Sequence, residues 1–270
     1  MVEGRVDFSK ISNEYEKRAT IQKEASKKLL ELLSIKKTDD VLDLGCGPGH
    51  ITREIRAITL GKVVGIDPSE GMIKKAREKN KDLDITFEIK SAEELDYIEE
   101  FDVIFSNSAF QWFKDPKKAI RNCYRALRNG GKIGIQAPAK KIYSPNFIEA
   151  INEIKKNKRT RGIFSYFKNP WFFLETERDY KLFFEEYGFQ INFVKILRYV
   201  QTYPPQKVYD IFAQGAIAGY LNQKYYDIPL NEDYIISFKE IVKKAFEKQA
   251  DNSGMVKLVF NRVFIVGIKK

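Results

Sequence analysis

Short apolar strands and amphipathic helices alternate along residues 41–138, and this alternation limits the chain to few folds. The sequence predicts strands at 41–45, 62–67, 84–90, 101–106 and 132–138. Helices are predicted at 50–60, 68–80 and 115–131, the last with Pro116 in its first turn and glycines at its end. Strands that alternate with helices pair in parallel, because each crossover returns the chain to the same edge. The sequence therefore predicts a doubly wound parallel sheet.

The flanking segments add to this sheet. A helix is predicted at 12–34, and two long β-rich runs, 189–203 and 256–270, are predicted to pair antiparallel at a sheet edge. Helices near 145–157, 176–187, 205–222 and 231–249 are predicted as well, and those between the two runs form a helical lid. The fold class is therefore an α/β, mostly parallel seven-stranded sheet with an antiparallel edge strand. We expect one compact domain with a helical cover at 1–38, a ligand-binding core at 39–138, and lid, substrate and sheet-completing elements at 139–270.

Composition narrows the class of protein. The 270 residues are 43% hydrophobic, which is enough for a sizeable core. No apolar run is long enough to cross a membrane and no apolar signal opens the chain, so we expect a cytoplasmic protein without membrane contact. Two cysteines, Cys46 and Cys123, give neither a disulfide framework nor a metal-ligand spacing. A net charge of +10 implies attraction to polyanions, acidic proteins or anionic small substrates, and the charge alone does not choose among these partners.

The glycine loop DLGCGPG, residues 43–49, carries the strongest chemical signal. Closely spaced glycines between a strand and a helix let backbone N–H groups approach a polar ligand. A dinucleotide fingerprint would need a third glycine at the position of His50, so the spacing is wrong for a pyrophosphate. The observed G-x-G-x-G leaves room for an amino-acid moiety. Asp67 ends the second strand, where a carboxylate accepts hydrogen bonds from ribose hydroxyls.

Three segments, VLDLGCGPG, VVGIDPSEGM and LRNGGKIGIQAP, resemble the class I S-adenosylmethionine-dependent methyltransferases. Further segments, NEYEKRATIQKEASKKLL, FSNSAFQWFKDP and VFNRVFIVGIKK, resemble the branch that contains trans-aconitate methyltransferases and malonyl-acyl-carrier-protein O-methyltransferases. The resemblance implies S-adenosyl-L-methionine as the cofactor. It covers most of the chain, and residues 139–188 only weakly.

Carried over position by position, the resemblance implies a cofactor site. Its residues are Tyr15, Gln22, Gly45, Cys46, Gly47, Gly49, Asp67, Pro68, Met72, Ser91, Ala92, Glu93, Ser106 and Asn107. The glycine loop would hold the methionine end, Asp67 the ribose, and Met72 the adenine. Ser91 stands where many relatives have an aspartate that meets the adenine amino group, so Ser91 and the Ala92 N–H would replace it. Tyr15 and Gln22 would close over the cofactor.

The stretch FSNSAFQWF, residues 105–113, follows the fourth strand and is the predicted acceptor wall. It lacks the N/D-P-P-Y/F signature of adenine-N6 and glutamine-amide methyltransferases, and neither cysteine follows a proline as cytosine-C5 enzymes require. The single histidine, His50, lies beside the loop, and no catalytic residue is predicted. Gln111 and Trp112 would position the acceptor.

A methyltransferase without a general base suits an acceptor that is already an anion, such as a carboxylate. The leading hypothesis is therefore O-methylation of a small polycarboxylic acid or of an acidic acyl-carrier-protein thioester. Lys140, Lys141, Lys158, Arg159, Arg161 and Arg198 are candidate cations for that acid. Two alternatives stay open: methylation of another small metabolite at nitrogen, oxygen or carbon, and RNA binding by the basic aromatic segment at 162–173 with cofactor binding secondary. Nucleic acid is the less favoured partner, and the oligomeric state is not predicted.

Overall fold

The computed structural model describes residues 20–270, with side chains described from residue 24 onward. These residues divide into two compact units. The sheet unit contains Thr20–Lys141, Trp171–Leu197 and Arg262–Lys270, and the helical unit contains Ile142–Pro170 and Arg198–Asn261.

The strands within the described residues are β1 (Val41–Leu44), β2 (Val63–Asp67), β3 (Thr86–Ile89), β4 (Phe101–Asn107), β5 (Leu127–Pro138), β6 (Phe189–Tyr203) and β7 (Val256–Lys269). The helices are α1 (Thr20–Leu33), α2 (His50–Ile58), α3 (Glu70–Lys79), α4 (Pro116–Ala126), α5 (Pro145–Lys156), α6 (Arg161–Phe164), α7 (Glu177–Glu185), α8 (Pro205–Gly215), α9 (Ile217–Tyr220) and α10 (Glu232–Lys248). Short 3-10 turns cover Ala92–Glu94, Phe110–Trp112 and Gln223–Tyr225.

The seven strands form one sheet in the order β3-β2-β1-β4-β5-β7-β6. Strands β1 to β5 pair in parallel, and β7 pairs antiparallel with β5. The sequence-based fold class, a doubly wound sheet completed by antiparallel pairing, is confirmed. The strand order reverses between β1 and β4, and ligands of such sheets bind at the carboxyl ends of the strands beside this reversal.

Helix α4 ends earlier than the sequence predicts. The sequence predicts that it runs to the glycines at 130–131, but it stops at Ala126. Leu127 is fully buried and pairs with Phe101 of β4, so the chain enters the sheet as soon as the helix ends. Gly130 has a φ of 79°, which only glycine adopts easily, and it turns the chain before the main run of β5. The glycine therefore belongs to a bend within β5, and the predicted helix end was wrong.

Phe110 anchors the segment after β4 in the core of the sheet unit. The ring is 1% exposed. Its centroid lies 5.4 Å from that of Phe113, 5.5 Å from that of Phe172 and 5.8 Å from that of Phe184. Aromatic pairs at these distances stabilise a core beyond their apolar area alone. The buried ring therefore fixes the 3-10 turn that carries Gln111 and Trp112.

The helical unit has its own aromatic core. Phe147 lies 5.0 Å from Phe212 and 5.7 Å from Phe246, measured between ring centroids. Phe164 of the basic aromatic segment is buried here and stacks on Phe167 at 5.3 Å.

Within the described residues, no helix has the length and apolar character needed to cross a membrane. The domain boundaries drawn from the sequence stay a prediction.

A charged network joins the strands at the amino-terminal edge of the sheet. Arg128 donates to Asp102 over 2.7 Å and to Asp40 over 2.8 Å. Asp40 also accepts from the Lys62 N–H at 2.6 Å, and its own N–H donates to Asp102 at 2.8 Å. Burial favours the protonated form of Asp40, but the hydrogen bonds from Arg128 and Lys62 outweigh it and hold the pKa of Asp40 below its usual value. The network therefore joins the starts of β1, β2, β4 and β5.

We predict that Arg128→Met lowers the free energy of unfolding by about 1–2 kcal/mol, because it removes two hydrogen-bonded ion pairs whose side chains are partly exposed. Urea unfolding at pH 7 measures this difference. The pKa of Asp40 is lowered in the folded state, so its contribution is present above its usual pKa of 3.8 and is lost as the pH falls through the folded value. The deficit of the variant should therefore shrink below pH 3.8.

Lys117→Met is the matched control, since Lys117 and Glu186 are both exposed and lie 4.0 Å apart. That variant should differ from the wild type by less than about 0.5 kcal/mol. Equal losses in the two variants would contradict a structural role for the Arg128 network.

Candidate functional site

The glycine loop after β1 is held by hydrogen bonds to the end of β2. The N–H groups of Gly45 and Cys46 both donate to the Ile66 carbonyl at 2.9 Å. The next N–H, that of Gly47, donates to Asp67 Oδ2 at 3.1 Å. Consecutive N–H groups of the loop thus face the carboxyl end of the neighbouring strand, and the loop has one well-defined position.

The glycines of the loop have different roles. A Cβ on Gly45 would lie 2.3 Å from Ala109 Cβ, and one on Gly49 would lie 2.7 Å from Asn80 Nδ2. These two glycines allow close packing inside the sheet unit. Gly47 has a φ of 53°, and a Cβ added to it would meet no heavy atom of the described residues within 4 Å apart from its chain neighbours, so the space beside it is open. Gly47 is therefore the loop glycine with room for a ligand.

Asp67 at the end of β2 receives two backbone hydrogen bonds. Oδ2 accepts from Gly47 N–H, and Oδ1 accepts from Ser69 N–H at 2.9 Å. Each carboxylate oxygen keeps a further lone pair for a ligand donor. Burial raises the pKa of Asp67. Pro68 is exposed, whereas Met72 on the first turn of α3 is buried.

The segment after β3 forms a closed local network. Ser91 donates from its N–H and from its hydroxyl to Glu94 Oε2, at 2.9 and 2.7 Å. Glu93 Oε1 accepts from Lys114 N–H at 2.6 Å, and Ala92 is buried. The Ser91 hydroxyl proton is thus already used, and toward an adenine amino group this hydroxyl can act only as an acceptor.

The polar residues that end β4 have separate tasks. Ser106 is fully buried, and its hydroxyl donates to the Leu44 carbonyl of β1 at 2.9 Å. Asn107 Oδ1 is buried and accepts no hydrogen bond from any described residue. Ser108 has a φ of 61°, an uncommon conformation for a residue with a side chain. A buried acceptor without a donor normally needs a ligand or a water molecule, so Asn107 marks a place where a donor group fits.

The two predicted wall residues lie on the 3-10 turn after β4. Gln111 is buried, and its side-chain Nε2 donates to the Ser108 main-chain carbonyl at 2.8 Å. The main-chain carbonyl of Gln111 accepts a hydrogen bond from the Phe172 N–H at 2.9 Å. The ring of Trp112 lies 5.5 Å from that of Trp171. The structure thus brings both residues beside the end of β4. Their role toward an acceptor stays a prediction.

Two predicted cofactor residues cannot be placed in this site. Tyr15 lies outside the described residues, and the side chain of Gln22 on α1 lies outside the described side chains. Their predicted closure over the cofactor remains a prediction. The structure therefore brings together, beside the carboxyl ends of β1, β2 and β4, the loop, Asp67 and Asn107.

Asp43 is a buried carboxylate of β1 that we did not predict. Its side chain, 2% exposed in the middle of β1, accepts a hydrogen bond from Thr52 Oγ1 at 2.6 Å. Burial raises the pKa of Asp43 to about 7. The signal was present in the sequence, because a carboxylate inside the apolar strand VLDL must be buried for a reason.

A second polar group that we missed lies at the carboxyl end of β5. Arg262 on β7 donates from Nη2 to Ser108 Oγ at 2.5 Å and to Gln136 Oε1 at 2.9 Å. Arg262 is 3% exposed and Gln136 is fully buried. Gln136 lies within the segment IQAP, and Arg262 interrupts the apolar run LVFNRVFIVG. Both are polar residues in strands whose apolar sequence predicts burial in the core.

Comparisons with known proteins agree with this geometry. Residues 42–135 match a family model described as a methyltransferase domain. The chain is 31% identical over 195 residues to an uncharacterized methyltransferase of Schizosaccharomyces pombe, covering 68% of this chain and 72% of that protein. It is 24% identical over 275 residues to a malonyl-[acyl-carrier protein] O-methyltransferase of Acetivibrio thermocellus, covering 98% of this chain and 93% of that protein. The crystal structure of the YcgJ protein of Bacillus subtilis superposes with a TM-score of 0.63 at 15% identity, covering 92% of this chain and 99% of that one.

The chain belongs to the class I S-adenosylmethionine-dependent methyltransferases. It is an enzyme, and S-adenosyl-L-methionine is its cofactor. The residues at the carboxyl ends of β1, β2 and β4 fit that cofactor in three respects. Asp67 has lone pairs for ribose hydroxyls, Gly47 has open space beside it, and Asn107 Oδ1 is a buried acceptor suited to an ammonium group.

We predict that Asp43→Asn gains stability over the wild type as the pH rises. The folded-state pKa of Asp43 is about 7 against a usual 3.8, so the stability from its protonated form is full below 3.8 and is lost as the pH rises through 7. Asparagine does not ionise. The free energy of unfolding of the variant minus that of the wild type should rise between pH 4 and pH 8 by at most about 4 kcal/mol.

Urea unfolding of the cofactor-free protein across this pH range is the measurement. Asp82→Asn, at an exposed position, is the control and should show no such pH dependence. A difference for Asp43→Asn that is the same at every pH would show that folding does not raise the pKa of Asp43.

Proposed function

We propose that this enzyme transfers the methyl group of S-adenosyl-L-methionine to a carboxylate oxygen, on a small polycarboxylic acid or on an acyl-carrier-protein thioester. The observation that carries the proposal is the chemistry of the residues at the end of β4. Ser106, Asn107 and Ser108 are neutral, and none acts as a general base near pH 7. This neutral segment suits an acceptor that arrives already deprotonated, as a carboxylate does.

The cofactor is held by the carboxyl ends of the first strands. The open side of the loop at Gly47 faces the methionine end, Asp67 accepts hydrogen bonds from the ribose hydroxyls, and Asn107 Oδ1 accepts from the α-ammonium group. Met72, Ala92 and the lone pairs of Ser91 face the adenine. Gly49 supports the loop indirectly, because its missing side chain lets Asn80 and Phe87 approach. S-adenosyl-L-methionine supplies a methyl group on a positively charged sulfur, and when that methyl leaves, the C–S electron pair returns to sulfur.

The chain itself contributes position and exclusion of water. Gln111 and Trp112, held by Ser108, Phe172 and Trp171, form a wall that orients the acceptor. A carboxylate oxygen that meets the methyl group needs no proton removed, so proximity and a dry site are what the protein must supply.

The relatives and the charge support this acceptor class. The similar protein of Acetivibrio thermocellus is named a malonyl-[acyl-carrier protein] O-methyltransferase. The net charge of +10 suits both an acidic carrier protein and a polycarboxylate. The RNA-binding alternative gains little support, since Phe164 is buried and Phe172 packs on Phe110 at 5.5 Å, so neither ring is available for base stacking.

We predict that Asp67→Ala weakens S-adenosylhomocysteine binding by at least about thirtyfold. The variant removes the acceptor of two charge-assisted hydrogen bonds, each worth about 1.5–3 kcal/mol. Isothermal titration calorimetry is the measurement, and Asp82→Ala at an exposed position is the control, with unchanged affinity. Undiminished binding by Asp67→Ala would remove Asp67 from the site.

We predict methyl transfer to carboxylates and not to amines. Malonate, citrate, trans-aconitate and malonyl-acyl-carrier protein are tested beside ethanolamine, with release of S-adenosylhomocysteine as the readout. The product should release methanol in alkali, as a methyl ester does. The rate should be nearly constant from about pH 7.5 to 9, because the carboxylates are fully ionised throughout this range. Turnover with ethanolamine alone would overturn the carboxylate proposal.

A further inference from the structure

A cluster of Ser108, Gln136 and Arg262, of which the last two are buried, joins the ends of β4 and β5 to the middle of β7. Arg262 Nη2 donates to Ser108 Oγ and to Gln136 Oε1, and the Ser108 N–H donates to the Gln136 carbonyl at 2.7 Å. Opposite Arg262 on β5 is Pro138, and opposite Gln136 on β4 is Asn107. The cluster therefore adjoins Asn107, the residue assigned above to the cofactor.

The orientation of the Gln136 amide is fixed by its neighbour. A guanidinium only donates hydrogen bonds, so the amide oxygen of Gln136 must face Arg262 and the amide NH₂ must point elsewhere. That Nε2 group is buried and donates to no described residue. A buried donor without an acceptor is unfavourable, and proteins keep such an arrangement where a ligand accepts the bond.

The charge of the cluster also favours an anionic ligand. A guanidinium that is 3% exposed has lost most of its hydration, so its attraction for an anion is screened far less than that of a surface cation. Arg159, one of the candidate cations from the sequence, has a side chain that is 53% exposed.

We infer that Arg262 and Gln136 Nε2 bind the carboxylate of the methyl acceptor. This inference rests on the proposed function, which it deepens by naming the residues that select an acid. One oxygen of the carboxylate accepts from the two donors, and the other stays free as the nucleophile. That oxygen forms the new O–C bond as the methyl C–S bond breaks, the electron pair goes to sulfur, and no proton moves.

The test measures anion binding separately from catalysis. The enzyme saturated with S-adenosylhomocysteine is titrated calorimetrically with malonate and with citrate. Arg262→Gln removes the charge and Arg262→Lys keeps it without the planar fork. Gln136→Glu leaves Arg262 in place and sets a carboxylate beside it, which neutralises the subsite. Arg159→Gln is the matched control at a surface arginine.

We expect Arg262→Gln and Gln136→Glu each to weaken malonate and citrate binding by at least about tenfold, because a charge-assisted hydrogen bond is lost or occupied. The affinity of Arg262→Lys for malonate and citrate should lie between the affinities of these two variants and that of the wild type. Arg159→Gln should bind both acids with the affinity of the wild type. All four should bind S-adenosylhomocysteine within about twofold of the wild type, which also shows that they are folded. A purely structural Arg262 would instead tolerate Gln136→Glu with undiminished anion binding.

Unchanged anion affinity in folded Arg262→Gln, or no binding of either acid by the wild type, would overturn the inference. A failure of the proposed function can be distinguished from a failure of this inference. If the wild type binds malonate through Arg262 but methylates none of the carboxylates, the subsite stands and the reaction is wrong. If the wild type methylates carboxylates with a KM that Arg262→Gln leaves unchanged, the reaction stands and the subsite is wrong.

Discussion

The hydrogen bonds between the glycine loop and the end of β2 are the constraint on which the site depends. Gly45 and Cys46 both donate to the Ile66 carbonyl, and Gly47 donates to Asp67. These bonds hold three consecutive peptide groups against one strand, so the chain must turn sharply between β1 and α2. The turn requires left-handed backbone at Gly45, Gly47 and Gly49, with φ between 53° and 81°. The position of the loop and the start of α2 both follow from this one arrangement.

The elements of the sheet and the position of the loop were predictable because local signals determine them. Apolar runs that end in glycine, such as VLDLG, specify strand and turn within a few residues. The end of α4 was not predictable, since a long-range pairing, Leu127 with Phe101, decided it. The aromatic segment was likewise split by tertiary packing: Phe164 is in the helical unit and Phe172 in the sheet unit.

The candidate site divides in the same way. The positions of Gly47 and Asp67 follow from the strand ends that carry them. The hydrogen-bond partners of individual side chains do not follow from these strand ends. The Ser91 hydroxyl donates to Glu94, and the Ser106 hydroxyl donates to the Leu44 carbonyl of β1, 62 residues away in sequence. Arg262 and Ser108 are 154 residues apart in sequence, so no local pattern could reveal their contact. Only the antiparallel pairing of β7 with β5 brings Arg262 to the end of β4.

The carboxyl edge of the sheet is electrically asymmetric, and this asymmetry fits a reaction between a cation and an anion. Two hydrogen-bond acceptors, Asp67 and Asn107 Oδ1, end β2 and β4 and suit a positively charged cofactor. Donors, Arg262 and Gln136 Nε2, lie on β7 and β5 and suit a negatively charged acceptor. An ammonium acceptor would meet the guanidinium charge and would still need its proton removed. If the acceptor is the proposed carboxylate, this arrangement selects it over an amine without a catalytic base.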